Sequence, residues 1–309
     1  MISKVLILLT AHLLFLLCTA FSNPIPGTIK IAPYGNSITQ AAGDHQSYRY
    51  PLWKKLIDAN IAFDFVGSMN TNFGGNPVRA DYNGKKFDLD HEGHWGWRAD
   101  SILMQMDKWL SNYTPDMVLF HIGTNDCIQN QDVNSTIGEL TQIVSKLRND
   151  NKNVVIFMAT LIPCNIAESR INDLNGKIKT LAGELSTQES PIVLVDQNSG
   201  ITSGDLYDGI HPNTSGEEKM AQKWFDAISQ YLVTAAIEKV SSSTHRNTNT
   251  NSYQMKLNCS QNTTPENSMS ITNGTAFDLL GKATNGVIQT PHKPNGVFIV
   301  SDPIEINKK

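Results

Sequence analysis

The sequence is poor in cysteine, in clustered charge and, after its first twenty residues, in long apolar runs. Four cysteines among 309 residues are too few for a disulfide scaffold. Cys18 falls in a segment expected to be removed, which leaves Cys127, Cys164 and Cys259, an odd number, none in the paired short spacing of a zinc site. Charged residues make up 17% of the chain and the formal net charge is −4. No Lys/Arg block stands out, so a nucleic acid or an anionic membrane surface has no electrostatic footprint to bind. No segment beyond residue 20 is apolar enough to span a bilayer, which excludes polytopic membrane folds. What remains is a globular composition, 40% hydrophobic, long enough for one large domain or two small ones.

The N-terminus departs from this pattern. Lys4 precedes Val5-Leu6-Ile7-Leu8-Leu9, the apolar run resumes over Leu13 to Leu17, and Cys18-Thr19-Ala20 supplies small residues. Residues 1–22 therefore read as a secretory signal, with the mature chain starting near Phe21 or Asn23. His12 interrupts the run and the stretch is short for a membrane anchor, while bulky Leu17 argues against a lipoprotein site at Cys18. The expected location is extracellular or at the cell surface, with no stable membrane association after cleavage.

From residue 28 to about 233, short apolar runs alternate with amphipathic stretches. Strands are expected over 28–33, 63–68, 117–123, 153–160 and 191–197. Continuous apolar runs such as VVIFMA suit strands buried on both faces of a parallel sheet. Helices are expected where Leu52, Trp53, Leu56 and Ile57 share a face, and where Ile102, Met106, Trp109 and Leu110 share another. A third carries Ile137, Leu140, Ile143, Val144 and Leu147 and is opened by Ser135; two more cover about 170–187 and 216–232. The expected fold class is α/β: a three-layer α/β/α sandwich with a central parallel sheet, whose ligands bind beyond the carboxyl ends of the strands. The domain reading is signal 1–22, catalytic domain 23–236, Ser/Thr/Asn-rich linker 237–270 and a small β-rich segment 271–309.

Four spots at strand ends carry groups that can do chemistry. In Gly35-Asn36-Ser37-Ile38-Thr39 a strand ends in a Gly turn and exposes a Ser hydroxyl near helical amide groups; a plain helix cap is the bland alternative. In Gly93-His94-Trp95-Gly96-Trp97 the backbone N–H of Gly96 is open to close approach, and in Gly123-Thr124-Asn125-Asp126 an amide side chain can face an oxyanion. Turn chemistry is the alternative for both. In Asp208-Gly209-Ile210-His211 a carboxylate three residues before an imidazole can hold one ring nitrogen and leave the other for proton transfer. His91 and His94 flank Glu92 without the spacing of a metalloprotease helix, so no metal site is assigned.

The segments GNSIT, GHWGW, GTND and DGIHPN resemble the four signature blocks of the SGNH (GDSL-type) hydrolases over about 28–234, most closely the secreted carbohydrate-esterase branch. The resemblance implies a flavodoxin-like fold, Ser37 as nucleophile, His211 as general base and Asp208 as its orienting partner. It also implies an oxyanion hole of the Ser37 and Gly96 N–H groups with the Asn125 side chain, and no cofactor. Asn36 stands where the family usually has Asp. The implied activity is hydrolysis of O-acyl, chiefly acetyl, esters on polysaccharide or oligosaccharide, and the chain is expected to act as a monomer. A lipid esterase, thioesterase or lysophospholipase on the same fold is the alternative, as is a glycan-binding module without activity.

Trp95, Trp97 and Tyr48 are candidate sugar-stacking residues, whereas the spacing of Trp53 suggests core. FDLLGK followed by PNGVFIV resembles the sorting domains of type IX secretion, which makes the chain from about 241 onward dispensable for catalysis. Six Asn-x-Ser/Thr sequons include one at Asn213, where a glycan would crowd the cleft. Cys127 and Cys164 follow successive parallel strands, and an oxidising compartment would let them pair as a disulfide, leaving Cys259 free.

Overall fold

The computed structural model describes residues 27–244, 253–257, 269–270 and 305–308. In the larger of its two units, Pro26–Ser229, strands β1 (Ile29–Gly35), β2 (Phe63–Phe65), β4 (Met117–His121), β5 (Val155–Ala159) and β6 (Ile192–Val195) form one sheet in the order β2-β1-β4-β5-β6. All of these pairings are parallel. β4 and β5 are buried at every residue, as their unbroken apolar runs require in a sheet covered on both faces. A two-residue strand, β3 (Glu92–Gly93), pairs with Tyr34 and Gly35 at the carboxyl end of β1. It is too short to leave a periodic trace in the sequence.

The helices are α1 (Ser37–Gln40), α2 (Arg49–Asp58), α3 (Ala99–Leu110), α4 (Thr124–Ile128), α5 (Val133–Asp150), α6 (Glu168–Leu185) and α7 (Thr214–Thr244). One continuous core joins Ile102, Met106 and Trp109 of α3, Leu140, Ile143, Val144 and Leu147 of α5, and Ile171, Leu174 and Ile178 of α6 to Ala32, Val118, Phe120, Ile156 and Met158 of the sheet. The alternate strand residues Ile31, Leu119 and Phe157 are equally buried and point the other way, as are Leu52, Trp53 and Leu56 of α2 and Met220 and Trp224 of α7. The architecture is therefore the expected three-layer sandwich. Each fully buried Leu or Ile contributes roughly 1.5–3 kcal/mol, so Leu140→Ala, which also leaves a cavity, costs about 2–5 kcal/mol.

α5 begins earlier than its apolar face suggests. Its cap is Asp132, whose side chain accepts the N–H groups of Asn134 and Ser135 at 3.0 Å each, so Ser135 lies inside the first turn. α7 runs on to Thr244, past the expected boundary at 236, because TAAIEKV contains no residue that stops a helix.

In the other unit, β7 (Tyr253–Leu257) pairs antiparallel with β8 (Met269–Ser270) and β9 (Glu305–Lys308). β7 falls within the segment read as a linker, where Tyr253, Met255 and Leu257 alternate with Gln254 and Lys256 in a strand-like period of two. Residues 1–22, read as a signal, the segments FDLLGK and PNGVFIV, and Cys259 lie outside the described residues.

The site follows from the strand order. β2 lies on one side of β1 and β4 on the other, so the chain reverses its direction of travel across the sheet at the β1/β4 pair. The loops leaving those two strands diverge and open a crevice at their carboxyl ends. Ser37 stands two residues beyond β1, and Asn125 four beyond β4.

Candidate active site

Ser37 opens α1 directly after the strand. Gly35 permits this tight exit, since a Cβ there would collide with the Thr39 hydroxyl and lie 2.9 Å from the His121 carbonyl oxygen. Asn36 caps the helix, its Oδ1 accepting the Ile38 N–H at 3.1 Å. The Asn36 amide nitrogen is buried and has no partner among the described residues. The carbonyl half of this side chain thus does the capping, at the cost of an unpaired donor.

The loop before α7 brings the imidazole to Ser37. Asp208 Oδ1 accepts the N–H groups of Ile210 and His211 at 2.9 and 2.7 Å, which closes the turn. Its other oxygen, Oδ2, lies 2.7 Å from His211 Nδ1. Nε2 of the same ring lies 2.8 Å from Ser37 Oγ. Burial pushes the Asp208 carboxyl up, but the hydrogen bonds from the His211 backbone and ring and from Ile210 outweigh it and leave the pKa below the ordinary carboxylate value. A carboxylate that stays ionised fixes Nδ1 as the protonated nitrogen and leaves Nε2 free to accept a proton. Asn213 then caps α7 through Ser215 and Gly216 and donates to the Gly204 carbonyl. Its amide oxygen accepts twice and its amide nitrogen donates once, so the sequon there coincides with a structural cap.

A tight turn over His94 to Trp97 forms the facing wall. Trp97 N–H donates to the His94 carbonyl at 3.2 Å, and Gly96 has φ +78° with open space where a Cβ would be. Conformation, not crowding, calls for glycine at that position. Three contacts latch the turn: His94 N–H to the Gly35 carbonyl at 3.0 Å, Trp95 N–H to Gln40 Oε1 at 2.8 Å, and Asn125 Nδ2 to the Trp97 carbonyl at 2.9 Å. The strand exit, α1 and the Asn125 loop therefore hold one another in place. The N–H groups of Ser37 and Gly96 and the second amide hydrogen of Asn125 have no partner among the described residues, which leaves them for an oxyanion.

Behind this turn, the buried Glu92 carboxylate accepts from Ser68 N–H and Oγ, from Tyr113 and from His94 Nε2, the last at 2.6 Å. His94 is stacked on both Trp97 and Trp109, at 4.5 Å each. Asp126 accepts the Ala99 N–H at the start of α3 and the Thr136 hydroxyl. Burial raises its pKa to about 6.

Ser37 also borders a small recess of about 10 Å³, lined by Ser37, Ile38, Ala41, Ala42, His45, Tyr207, His211, Pro212 and Glu217. That is room for about one water-sized group. Ala41 ends α1 with φ 64° and ψ 160°, a region nearly reserved for glycine that costs a residue with a Cβ roughly 1–3 kcal/mol. The fully buried Arg49 supports the end of the same helix, donating to the carbonyls of Thr39 and Gln40. Glu217 accepts the Ser47 N–H at 2.9 Å and lies 3.8 Å from His45 Nδ1. Burial pushes its pKa up to about 7, although Ser47, Arg79 and Arg49 pull it down.

Trp95 stacks on His211 at 4.7 Å, and half-exposed Phe73 stacks on Trp95 at 4.6 Å. On the recess side, Tyr207 stacks on His211 at 5.6 Å and His45 on Tyr207 at 4.1 Å. Of the three candidate sugar-stacking residues, the structure presents only Trp95 in this row. Tyr48 is fully buried beneath α1, with its hydroxyl on Thr39 Oγ1, because it packs at the start of α2 against Trp224. Trp97 turns inward onto His94 and the main core. The expected disulfide is not formed. Cys127 and Cys164 are free thiols packed as small apolar groups in the core, and burial raises the Cys127 pKa to about 12. Phe73, His45, Tyr207, Glu217 and Ala41 went unnoticed in the sequence. Only the non-glycine residue after GNSITQ was a visible signal, and its φ was not.

The model of the GDSL-like lipase/acylhydrolase family matches residues 34–219. A multidomain esterase of Ruminococcus flavefaciens is 32% identical over 226 residues, covering 67% of this chain; the match spans 29% of that relative's length. A family 3 carbohydrate esterase from Talaromyces cellulolyticus is 31% identical with a TM-score of 0.59, over 66% of this chain and 98% of that one. An acetyl esterase mutant solved with an acetate ion is similar by the same measures: 31% identity, TM-score 0.59, and 66% and 98% coverage.

Proposed function

The chain belongs to the GDSL-like lipase/acylhydrolase family, and from that premise we propose that it is a secreted serine esterase that removes small acyl groups, acetyl above all, from carbohydrate hydroxyls. The observation that carries the reading is the hydrogen-bonded line Ser37 Oγ, His211 Nε2, His211 Nδ1, Asp208 Oδ2, with spacings of 2.8 and 2.7 Å.

In this reading Ser37 Oγ attacks the ester carbonyl carbon as His211 Nε2 takes its proton, and Asp208 stabilises the resulting imidazolium. The carbonyl oxygen becomes an oxyanion facing the Ser37 and Gly96 N–H groups and the Asn125 amide. Collapse expels the sugar hydroxyl, which receives the proton from His211, and leaves an acyl ester on Ser37. Water then repeats the sequence: His211 takes its proton, the carboxylic acid leaves, and Ser37 regains its hydrogen.

Two features support the substrate class. The recess beside Ser37 suits an acetyl methyl and disfavours the long chains of a lipid esterase. The Trp95–Phe73 row offers flat apolar faces beyond the recess, of the kind that a sugar ring's C–H face packs against. The named esterase relatives point the same way. In the same reading, residues 1–22 direct export and the chain beyond about 241 serves export, not hydrolysis, so a chain cut at Ser241 keeps its activity on small esters. The test of the whole reading is acetate release from acetylated xylan, pectin and mannan, set against octanoyl esters. A protein that prefers octanoyl esters is a lipid esterase, and one that cleaves nothing is a binding module.

A further inference from the structure

Ala41 carries a backbone conformation that glycine adopts freely and alanine does not, four residues from Ser37. We propose that its methyl group sets the acyl-chain limit of the site, closing the recess beside Ser37 so that an acetyl group fits and a longer chain does not. This rests on the esterase reading above.

Three observations carry it. The φ of 64° and ψ of 160° at Ala41 lie where a Cβ is poorly tolerated, and both of its backbone groups are tied down. Its N–H donates to the Ser37 carbonyl at 2.7 Å, and its carbonyl accepts from Phe73 N–H at 2.9 Å. The residue cannot relax into ordinary backbone without losing one of these bonds, the first of which closes the nucleophile's own helix. Second, Ala41 is buried, and it lines the recess that also contains Ser37 and His211. Third, that recess is only about 10 Å³, so a single methyl on its wall is comparable with the space available. Pro212, on another wall, is tied to Leu206 by a β-bridge, and Asn213 beside it is the α7 cap, so that side does not yield. A glycine at position 41 would relieve the backbone and enlarge the recess together. In this proposal the methyl takes up room that the second and third carbons of an acyl chain would need.

The experiment compares kcat/KM for p-nitrophenyl acetate and p-nitrophenyl butyrate in the full chain and in Ala41→Gly. Wild type is expected to favour acetate by on the order of 100-fold, in line with what methylene groups are worth in a tight pocket. In Ala41→Gly that preference falls about tenfold, and the variant melts no lower than wild type because glycine accepts this φ. An unchanged acetate-to-butyrate ratio, or a variant that melts lower, overturns the inference. A wild-type protein that cleaves butyrate as well as acetate also overturns it and leaves the esterase reading standing. A wild-type protein that cleaves neither removes that reading, and the inference with it.

Discussion

Replacing Glu217 by Gln should change how stability depends on pH, in a direction the structure dictates. Glu217 sits in the first turn of α7, buried, with the Ser47 N–H on its Oε1 and His45 Nδ1 3.8 Å away. Burial is the largest influence and lifts its pKa from the usual value near 4.3 to about 7, against the pull of Ser47, Arg79 and Arg49. Between these two values the folded protein keeps a proton that the unfolded chain has released. Stability therefore falls as pH rises through that window. With about 1.4 kcal/mol for each pH unit separating the two pKa values, the loss between pH 5 and pH 8 comes to roughly 2–3 kcal/mol. Gln is of the same size, accepts the Ser47 N–H equally well and does not titrate. The stability of Glu217→Gln relative to wild type should thus climb by roughly 2–3 kcal/mol from pH 5 to pH 8. Urea unfolding of both proteins at the two pH values measures this, and titrating groups common to both largely cancel in the difference. Parallel profiles would refute the reasoning. A variant that loses ground as pH rises would mean that the ionised carboxylate is the form holding His45 and Ser47.

Other outcomes follow from the same geometry. Asn125→Ala removes one oxyanion donor and should lower kcat by roughly 10²–10³ with little change in KM; it also frees the Trp97 carbonyl, so circular dichroism should accompany the kinetics to show that the turn survives. Cys127 and Cys164 should be unreactive toward a thiol reagent in the folded protein and should both titrate on unfolding without reductant. A disulfide would leave them silent in both states. Removal of the chain from Ser241 onward should leave hydrolysis of p-nitrophenyl acetate unchanged, and its loss would place part of the catalytic unit beyond that point.

The sandwich was legible because its strands are buried on both faces and its helices on one. VVIFMA has no periodicity to misread, and Leu140, Ile143, Val144 and Leu147 mark their helix plainly. The strand order made the rest geometric, since residues after β1 and β4 must meet at the reversal point. Ser37, Asn125, Asp208 and His211 were visible for a related reason: Asp208 and His211 lie within a single turn, and the other two sit at strand ends. Residues recruited by tertiary contact left no local trace. Phe73 and Tyr207 are ordinary loop aromatics until the fold stacks them toward His211. Tyr48 shows the converse, an aromatic near the nucleophile loop in sequence whose ring the fold buries beneath α1. The two cysteines deceived because neighbouring strands bring their loops together, yet both side chains turn into the apolar core instead of pairing.

The central claim is that Ser37 forms the acyl intermediate with His211 as its base. The direct measurement is mass analysis of the protein quenched during turnover of p-nitrophenyl acetate, followed by peptide mapping, in wild type and in Ser37→Ala. One acetyl group should appear on the peptide containing Ser37 in wild type and on no peptide in the variant, whose turnover should fall by on the order of 10⁶ while its fold is kept. Undiminished turnover in Ser37→Ala, or an acetyl group accumulating on a different residue at the rate of turnover, would contradict the claim.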